Sequence, residues 1–212
     1  KQSNHLERFD QQKNMLLKVE KRWVIAFIIT AIVAMVSLFW PTKLPDASSG
    51  VFLEENNLVG ADIAWLLASS GLVLLMTPGL SFFYGGMVGK KNVISTMLQS
   101  FIALGVISLV WVVVGFSLSF GDSLGFYIGK EHYGIIGNPF SFTFFNQVGV
   151  LPHSKMAPTV PFILFALFQM KFAVITPAII TGSFAERVRF VSYLLFIVLF
   201  SLFIYAPLAH MV

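Results

Sequence analysis

Long apolar segments alternate along this chain with short polar ones. A helix needs about 20 residues, at a rise of 1.5 Å each, to cross the hydrocarbon layer of a bilayer. Five segments approach or exceed that length: Trp23–Trp40, Ile63–Val88, Val93–Phe120, Thr159–Phe184 and Val191–Leu208. The pattern therefore predicts an all-α polytopic membrane protein.

The chain divides into four regions by composition. Residues 1–22 form a basic tail, 23–40 a first apolar helix, 41–62 a turn-rich linker, and 63–212 the main membrane domain. Trp23–Trp40 has two interpretations, a retained anchor or a cleaved signal peptide. We favour the anchor, because its apolar stretch is long for a signal peptide and no clean cleavage site follows promptly.

Basic residues predict the orientation of the helices. Cytoplasmic loops of membrane proteins carry an excess of Lys and Arg. The tail 1–22 holds six of the fourteen Lys and Arg residues, and further basic residues lie at Lys90, Lys91 and in Glu186–Arg189. These loops are predicted to be cytoplasmic, and we name the helix ends beside them the inner ends. The linker 41–62 and the loop Gly121–Pro158 are then predicted to lie outside.

Composition narrows the classes of function. Apolar residues make up 57% and charged residues 11% of the chain, whereas soluble domains carry about 25% charged residues. The basic residues flank the apolar segments, which argues against nucleic-acid binding. With no cysteine, a disulfide framework is ruled out. No motif pairs a nucleophile with a base, so an enzyme is not expected.

The run from Thr77 to Asn92 is more elaborate than a helix needs merely to cross lipid. It contains a proline, four glycines and a tyrosine, and it ends beyond the lysine pair. Proline removes a backbone hydrogen bond, and glycine lets neighbouring backbones approach closely. The run indicates a helix packed tightly inside a bundle.

An aromatic face and one lysine mark the fourth segment. Phe165, Phe168, Phe172 and Thr176 share one helix face, and aromatic rings can hold a cation. Ordinary packing is the default interpretation in a chain with 23 Phe. Lys171 lies halfway along the segment, where a charge is costly unless it is paired or hydrated. It either snorkels or finds a carboxylate elsewhere, or it is a charge of a pore wall or interface.

Four motifs occur in a fixed order along the chain: Met76–Val88, Phe168–Pro177, Gly182–Phe190 and Tyr205–Val212. Together they resemble the amino-terminal part of ammonium transporters of the Amt/Mep/Rh superfamily, in its bacterial Amt branch. The resemblance runs from about Asp62 to Val212. The resemblance implies an eleven-helix, inverted-repeat fold. About four of its core helices are present here, together with one extra N-terminal helix.

The resemblance also implies a site. Phe172 corresponds to the first of two gate phenylalanines, Phe168 to a vestibule phenylalanine one turn earlier, and Tyr205 to a vestibule tyrosine. Tyr84 corresponds to a tyrosine that lines the inner end of the pore. In such a protein an aromatic outer vestibule recruits ammonium, which is deprotonated and crosses an apolar pore. The matching vestibule tryptophan, pore histidines and partner gate phenylalanine are not in this sequence.

The resemblance implies ammonium or ammonia as substrate, membrane lipids as surroundings, a homotrimer, the inner (plasma) membrane as location, and no cofactor. A cytoplasmic PII-type regulatory protein is a further implied partner. The alternative function is an ammonium sensor that uses the same fold with an attached signalling domain. His5, His132, His153 and His210 are scattered, so we interpret them as solvated or capping residues rather than metal ligands.

Overall fold

The computed structural model describes residues 28–29, 31–32, 35–36, 39, 44–128, 131–183 and 185–212. The chain divides into two units, Lys1–Pro41 and Thr42–Val212. In the first unit, the described residues of the predicted segment Trp23–Trp40 are all helical. The basic tail 1–22 lies outside the described residues.

Four long apolar helices form the second unit. They are α1 (Gly60–Met87), α2 (Val93–Phe120), α3 (Phe162–Ile180, extended by a 3₁₀ turn Thr181–Ser183) and α4 (Phe190–Met211). Each is long and apolar enough to cross a membrane. The four predicted segments of this unit are therefore confirmed, with ends shifted by a few residues. For example, α3 begins after Pro161, whose extended backbone precedes the helix.

Helices α1, α2 and α3 pack against one another, and α4 packs against α2 and α3. Helix α1 continues through Pro78. Gly85 brings α1 close to α2, since a Cβ there would lie 2.8 Å from Met97 Cγ. Small residues at such contacts allow membrane helices to approach closely, as the run from Thr77 to Asn92 predicted.

Helices α2 and α4 each contain one π-helical turn, Trp111–Gly115 and Ser201–Tyr205. A π turn inserts one extra residue, and such turns are frequent at functional sites. The sequence analysis did not predict either turn. Both lie towards the outer ends of their helices, and Tyr205 is the last residue of the second.

The segments at the outer ends are ordered by backbone pairing. An antiparallel hairpin, β1 (Ser123–Ile128) and β2 (Glu131–Gly137), occupies part of the loop that follows α2. The linker before α1 pairs with the loop before α3: Leu53 N–H donates to Pro152 O at 2.8 Å, and Val59 N–H donates to Thr159 O at 2.9 Å. The sequence predicts loops in these regions, and the hairpin was not predicted.

The core lies where these outer segments meet the helices. Its largest fully buried side chains include Trp111, Phe116 and Phe162. Phe116 lies 5.4 Å from Phe162 and 5.5 Å from Phe142, measured between ring centroids. Such spacings are typical of favourable aromatic pairs.

Candidate functional site

Phe168 and Phe172 form a pair on α3. Their ring centroids are 5.1 Å apart with an interplanar angle of 76°, and both residues are half-buried. They lie four residues apart, so the helix stacks them on one face. The structure thus brings together two of the three residues predicted for the vestibule and leaves them partly accessible.

Phe168 also lines an open cavity of about 330 Å³ at the outer end of the helices. Trp65 and Asp62, from the first turns of α1, line the same cavity. Asp62 is the only acidic residue within the four described spanning helices. Phe165 lines it as well. The cavity therefore combines three aromatic side chains with a carboxylate, which are groups that attract a cation.

Tyr205 does not share a described ring contact with that pair. Its ring lies 6.2 Å from that of Trp111, at 64°, and it is half-buried against the aromatic core. The π turn that ends at Tyr205 contacts α3. Tyr205 is therefore adjacent to α3 but belongs to a different aromatic group from Phe168 and Phe172.

Trp111 is a structural residue that sequence reasoning missed. It is 1% exposed, and its indole N–H donates to Ala166 O on α3 at 3.1 Å. It contacts Phe116, Phe120 and Tyr205 through its ring. The sequence gives no signal for this role. Trp111 lies in a long apolar segment, and any face of such a helix could be directed to lipid.

Tyr84 lies at the inner end, on the last turn of α1. Its hydroxyl donates to Ile179 O at 2.5 Å, a carbonyl in the last α-helical turn of α3. Its ring lies over Gly182, where a Cβ would be only 2.4 Å from Tyr84 Cε1. The glycine of the Gly182–Phe190 motif thus makes room for the tyrosine of the Met76–Val88 motif.

Lys171 lines a small cavity of about 70 Å³ between α1, α2 and α3. Its ammonium group donates to Leu167 O at 2.9 Å, and the hydroxyl-bearing residues Thr77 and Ser108 line the same cavity. A cavity of this size has room for water. The lysine is thus hydrogen-bonded to the backbone of its own helix.

His153 was predicted to be either solvated or a capping residue. It is a capping residue and is not solvated. It is 4% exposed, and its Nδ1 accepts the N–H groups of Lys155 and Met156, both at 3.3 Å. Burial lowers the pKa of His153, the charge of Lys155 lowers it further, and Asp122 acts in the opposite direction. Accepting two N–H groups at Nδ1 also requires that nitrogen to be unprotonated.

His210 links three elements at the outer end. Its Nδ1 lies 3.2 Å from Ser119 O on α2, and its Nε2 lies 2.9 Å from Ser123 Oγ on β1. The carbonyl can only accept, so Nδ1 carries the proton. The side chain is half-buried and joins α4 to the hairpin. Its surroundings are thus those of a bridging residue.

Four apolar helices in the part of the chain that the structure describes define a multi-pass α-helical membrane protein. Residues 64–212 match the model of the Ammonium Transporter Family. The chain belongs to that family, and its four helices are part of the ammonium-transporter fold.

Curated and solved relatives agree with this assignment. The chain is 42% identical over 162 residues to an ammonium transporter of Mycobacterium tuberculosis, covering 72% of this chain and 33% of the relative. It is 44% identical over 151 residues to one of Bacillus subtilis, covering 71% and 35%. The crystal structure of Candida albicans Mep2 superposes with a TM-score of 0.62 at 29% identity, over 73% of this chain and 32% of Mep2.

The chain spans about a third of the length of the curated relatives that it matches. A structure titled Sensor Amt Protein is also similar, with a TM-score of 0.57 at 28% identity over 69% of this chain and 32% of the other. The proteins that this chain is similar to thus carry the names of ammonium transporters and of a sensor.

Proposed function

We propose that this chain forms the amino-terminal part of a protein that moves ammonium or ammonia across the plasma membrane. The observation that carries the proposal is the family match over residues 64–212. It is supported by the names of the curated relatives, which are ammonium transporters. Transport is a property of the full-length protein, since this chain spans about a third of its relatives.

Phe168, Phe172 and Tyr205 recruit the cation in this proposal. A cation–π contact contributes about 0.5–2 kcal/mol, so a few rings attract ammonium without trapping it. The Phe168–Phe172 pair is half-buried and lies beside the open cavity that Asp62 also lines. Phe168 holds the cation at the entrance and Phe172 narrows the path beneath it, while Tyr205 contributes to the vestibule from α4, in a separate aromatic group beside Trp111.

Passage beyond the gate requires loss of the charge. The cost of carrying a bare ion through an apolar layer is far larger than the few kcal/mol that aromatic rings return. Ammonium therefore transfers one proton to water in the open outer cavity, which leaves neutral ammonia to cross the apolar layer, and Tyr84 lines the inner end of the path. The proposal includes a homotrimer in the inner membrane and regulation by a PII-type protein at the cytoplasmic face.

Uptake of methylammonium by the full-length protein in proteoliposomes tests this function. We expect saturable uptake that depends on the protein, and no uptake by residues 1–212 alone, whose helices lack most of the fold's partners. Absence of uptake by the full-length protein would contradict transport. Robust uptake by the fragment would contradict the assignment of the pore to the whole fold.

The second candidate is an ammonium sensor, favoured by the similarity to the structure titled Sensor Amt Protein. A sensor binds the cation and passes the signal to an attached domain or partner. Binding of ammonium to the full-length protein without measurable uptake, together with a kinase or cyclase domain in the same reading frame, would support this candidate over transport.

A further inference from the structure

Two short segments at the inner ends are joined by one carboxylate. Glu186 Oε1 accepts a hydrogen bond from Gly89 N–H at 2.8 Å and another from the Asn92 side-chain amide at 2.9 Å. Gly89 and Asn92 belong to the segment between α1 and α2, and Glu186 to the segment between α3 and α4. We name these three residues the inner clamp.

Glu186 has an unusual backbone conformation. Its φ is +67°, in the left-handed region that residues with a side chain rarely adopt. Such conformations persist where surrounding contacts over-determine them, and they cluster at functional positions. The two hydrogen bonds to the carboxylate are contacts of this kind, so backbone and side chain together indicate a built feature.

The carboxylate remains charged at neutral pH. The amide of Asn92 and the backbone N–H of Gly89 lower the pKa of Glu186, because both groups donate to its ionised form. Hydrogen bonds to a charged acceptor are stronger than neutral ones. In the inner clamp, two donors thus share one charged acceptor.

The inner clamp lies beside a second connection between the same helices. Tyr84, five residues before Gly89, donates its hydroxyl to Ile179 O at 2.5 Å and packs over Gly182. Before the turn that follows Met87, the end of α1 is thus attached to the end of α3. After that turn, the chain is attached to the segment that follows α3. Displacement of the segment 88–92 would be transmitted along one helical turn to Tyr84.

We propose that Glu186 is a positioning residue that holds Tyr84 in place at the inner end of the path. The inference rests on the proposed function for the role of Tyr84, but the inner clamp itself does not depend on that function. The inner clamp also connects two motifs. Asn92, which follows the motif Met76–Val88, donates to Glu186 of the motif Gly182–Phe190.

Three substitutions in the full-length protein distinguish the effect of the Glu186 carboxylate from the effect of the backbone conformation at that position. Glu186→Gly removes the side chain, and glycine tolerates the positive φ without strain. Glu186→Gln keeps an oxygen that can accept both hydrogen bonds. Arg187→Gly is the matched control, since it places the same glycine at the next position and leaves the carboxylate intact.

Hydrogen exchange of the segment 88–92 measures the inner clamp. We expect exchange at Gly89 to rise about tenfold in Glu186→Gly, since the lost bonds are to a charged acceptor. Exchange in Glu186→Gln should rise less than in Glu186→Gly, because its amide oxygen accepts both bonds without the charge, and exchange in Arg187→Gly should stay near that of the parent. Unchanged exchange in Glu186→Gly would overturn the inner clamp whether or not the protein transports ammonium.

A single 3-fluorotyrosine at position 84 reports the position of the ring without reference to transport. We expect its ¹⁹F resonance to shift in Glu186→Gly and not in the two other variants. In the same variant, the maximal rate of methylammonium uptake should fall about tenfold, with little change in half-saturation, because recruitment occurs at the outer end. An unmoved resonance would overturn the positioning role even if exchange increased.

Uptake by the parent protein distinguishes a failure of the proposed function from a failure of the positioning role of Glu186. If the parent takes up no methylammonium, the proposed function fails, and the exchange and ¹⁹F results still decide the roles of the inner clamp and of Glu186. If the parent transports and Glu186→Gly transports equally at every concentration, the positioning role fails and the proposed function stands.

Discussion

The outer and inner ends of the helices are held together by different kinds of contact. At the outer end, buried rings from two helices and a loop fill one core, in which Phe116 contacts both Phe142 and Phe162. At the inner end, Glu186 accepts a hydrogen bond from Gly89 N–H, and the Tyr84 hydroxyl donates one to Ile179 O. Ring packing distributes its stabilisation over many atoms, whereas a few polar contacts can each be removed by one substitution.

The largest effect should come from the outer core. Trp111→Ala removes a nearly fully buried indole that contacts three other aromatic rings. Such truncations cost about 3–5 kcal/mol. We expect a marked loss of thermal stability of the full-length protein in detergent.

Trp111→Phe is the control for that prediction. It keeps a ring but loses the hydrogen bond to Ala166 O, and hydrogen bonds between membrane helices contribute about 0.6 kcal/mol on average. Its loss of stability should therefore be much smaller. Equal effects of the two substitutions would mean that the hydrogen bond, rather than ring packing, dominates at the outer end.

The close approach at the inner end gives the next largest effect. Gly182→Ala would place a Cβ 2.4 Å from Tyr84 Cε1, which forces the ring to move and to lengthen its bond to Ile179 O. Overpacking of this kind costs about 1–3 kcal/mol. We expect reduced uptake and a shifted ¹⁹F resonance of labelled Tyr84.

Gly86→Ala is the matched control for Gly182→Ala. Nothing lies within 4 Å of a Cβ added at Gly86, so this substitution should leave both uptake and the resonance near those of the parent. A similar response of the two variants would show that the effect is due to any added methyl group near Tyr84 and not to the contact with its ring.

The aromatic pair on α3 should show an intermediate effect on recruitment. Phe168→Ala should weaken the apparent affinity for ammonium by tenfold or less, since one cation–π contact is worth about 0.5–2 kcal/mol. Phe172→Ala should change the maximal rate more than the affinity, and Phe172→Leu should be milder because it keeps much of the volume. Uptake measured over a range of concentrations separates the two quantities.

Identical uptake by the parent and by both alanine variants at every concentration would mean that the pair is ordinary packing. The default interpretation of the aromatic face would then be correct. That outcome would leave the family assignment intact, because the family rests on the match over residues 64–212.

Protonation of His153 should have the smallest of these effects, on the stability of the segments at the outer end. The pKa of His153 is lowered in the folded state, so the unfolded chain binds more protons below the ordinary value of 6.5. The contribution of His153 to the free energy of unfolding should be fully present above pH 6.5. It should fall as the pH drops from there towards the pKa that His153 has in the folded protein. Hydrogen exchange of the segment 151–157 between about pH 5 and 8 measures this dependence.

His153→Asn is the control, since its amide oxygen can accept the N–H groups of Lys155 and Met156 without titrating. The dependence on pH in this range should largely disappear in this variant. A dependence that persisted unchanged would assign the titration to another group in the outer segments.

The helices were the most predictable part of this protein. Their length and apolar character follow from the bilayer, because backbone groups in lipid must bond within their own segment. The residues Phe168 and Phe172 were also predictable as a pair, because a spacing of four residues determines a helix face. Their role in a vestibule came from the resemblance to a family and stays a prediction.

The contacts between segments were not predictable. Nothing in the sequence indicates that Trp111 bonds to Ala166 O, that His153 is buried in a loop, or that the outer loop contains a hairpin. Each depends on residues distant along the chain, as with Glu186 and Gly89. The periodicity of a sequence describes one element at a time and does not specify which faces meet.

The sequence by itself determined the number of spans in the main domain, the basic loops that predict orientation, and the family. The spans and the basic loops are local properties of segments, and the family is indicated by motifs that occur in a fixed order along the chain. Tertiary structure decided which side chains share a site, and it separated Tyr205 from the pair of phenylalanines and joined Glu186 to Asn92. The physical reason is that close packing and hydrogen bonds act over a few ångströms, between residues that only the folded chain brings together.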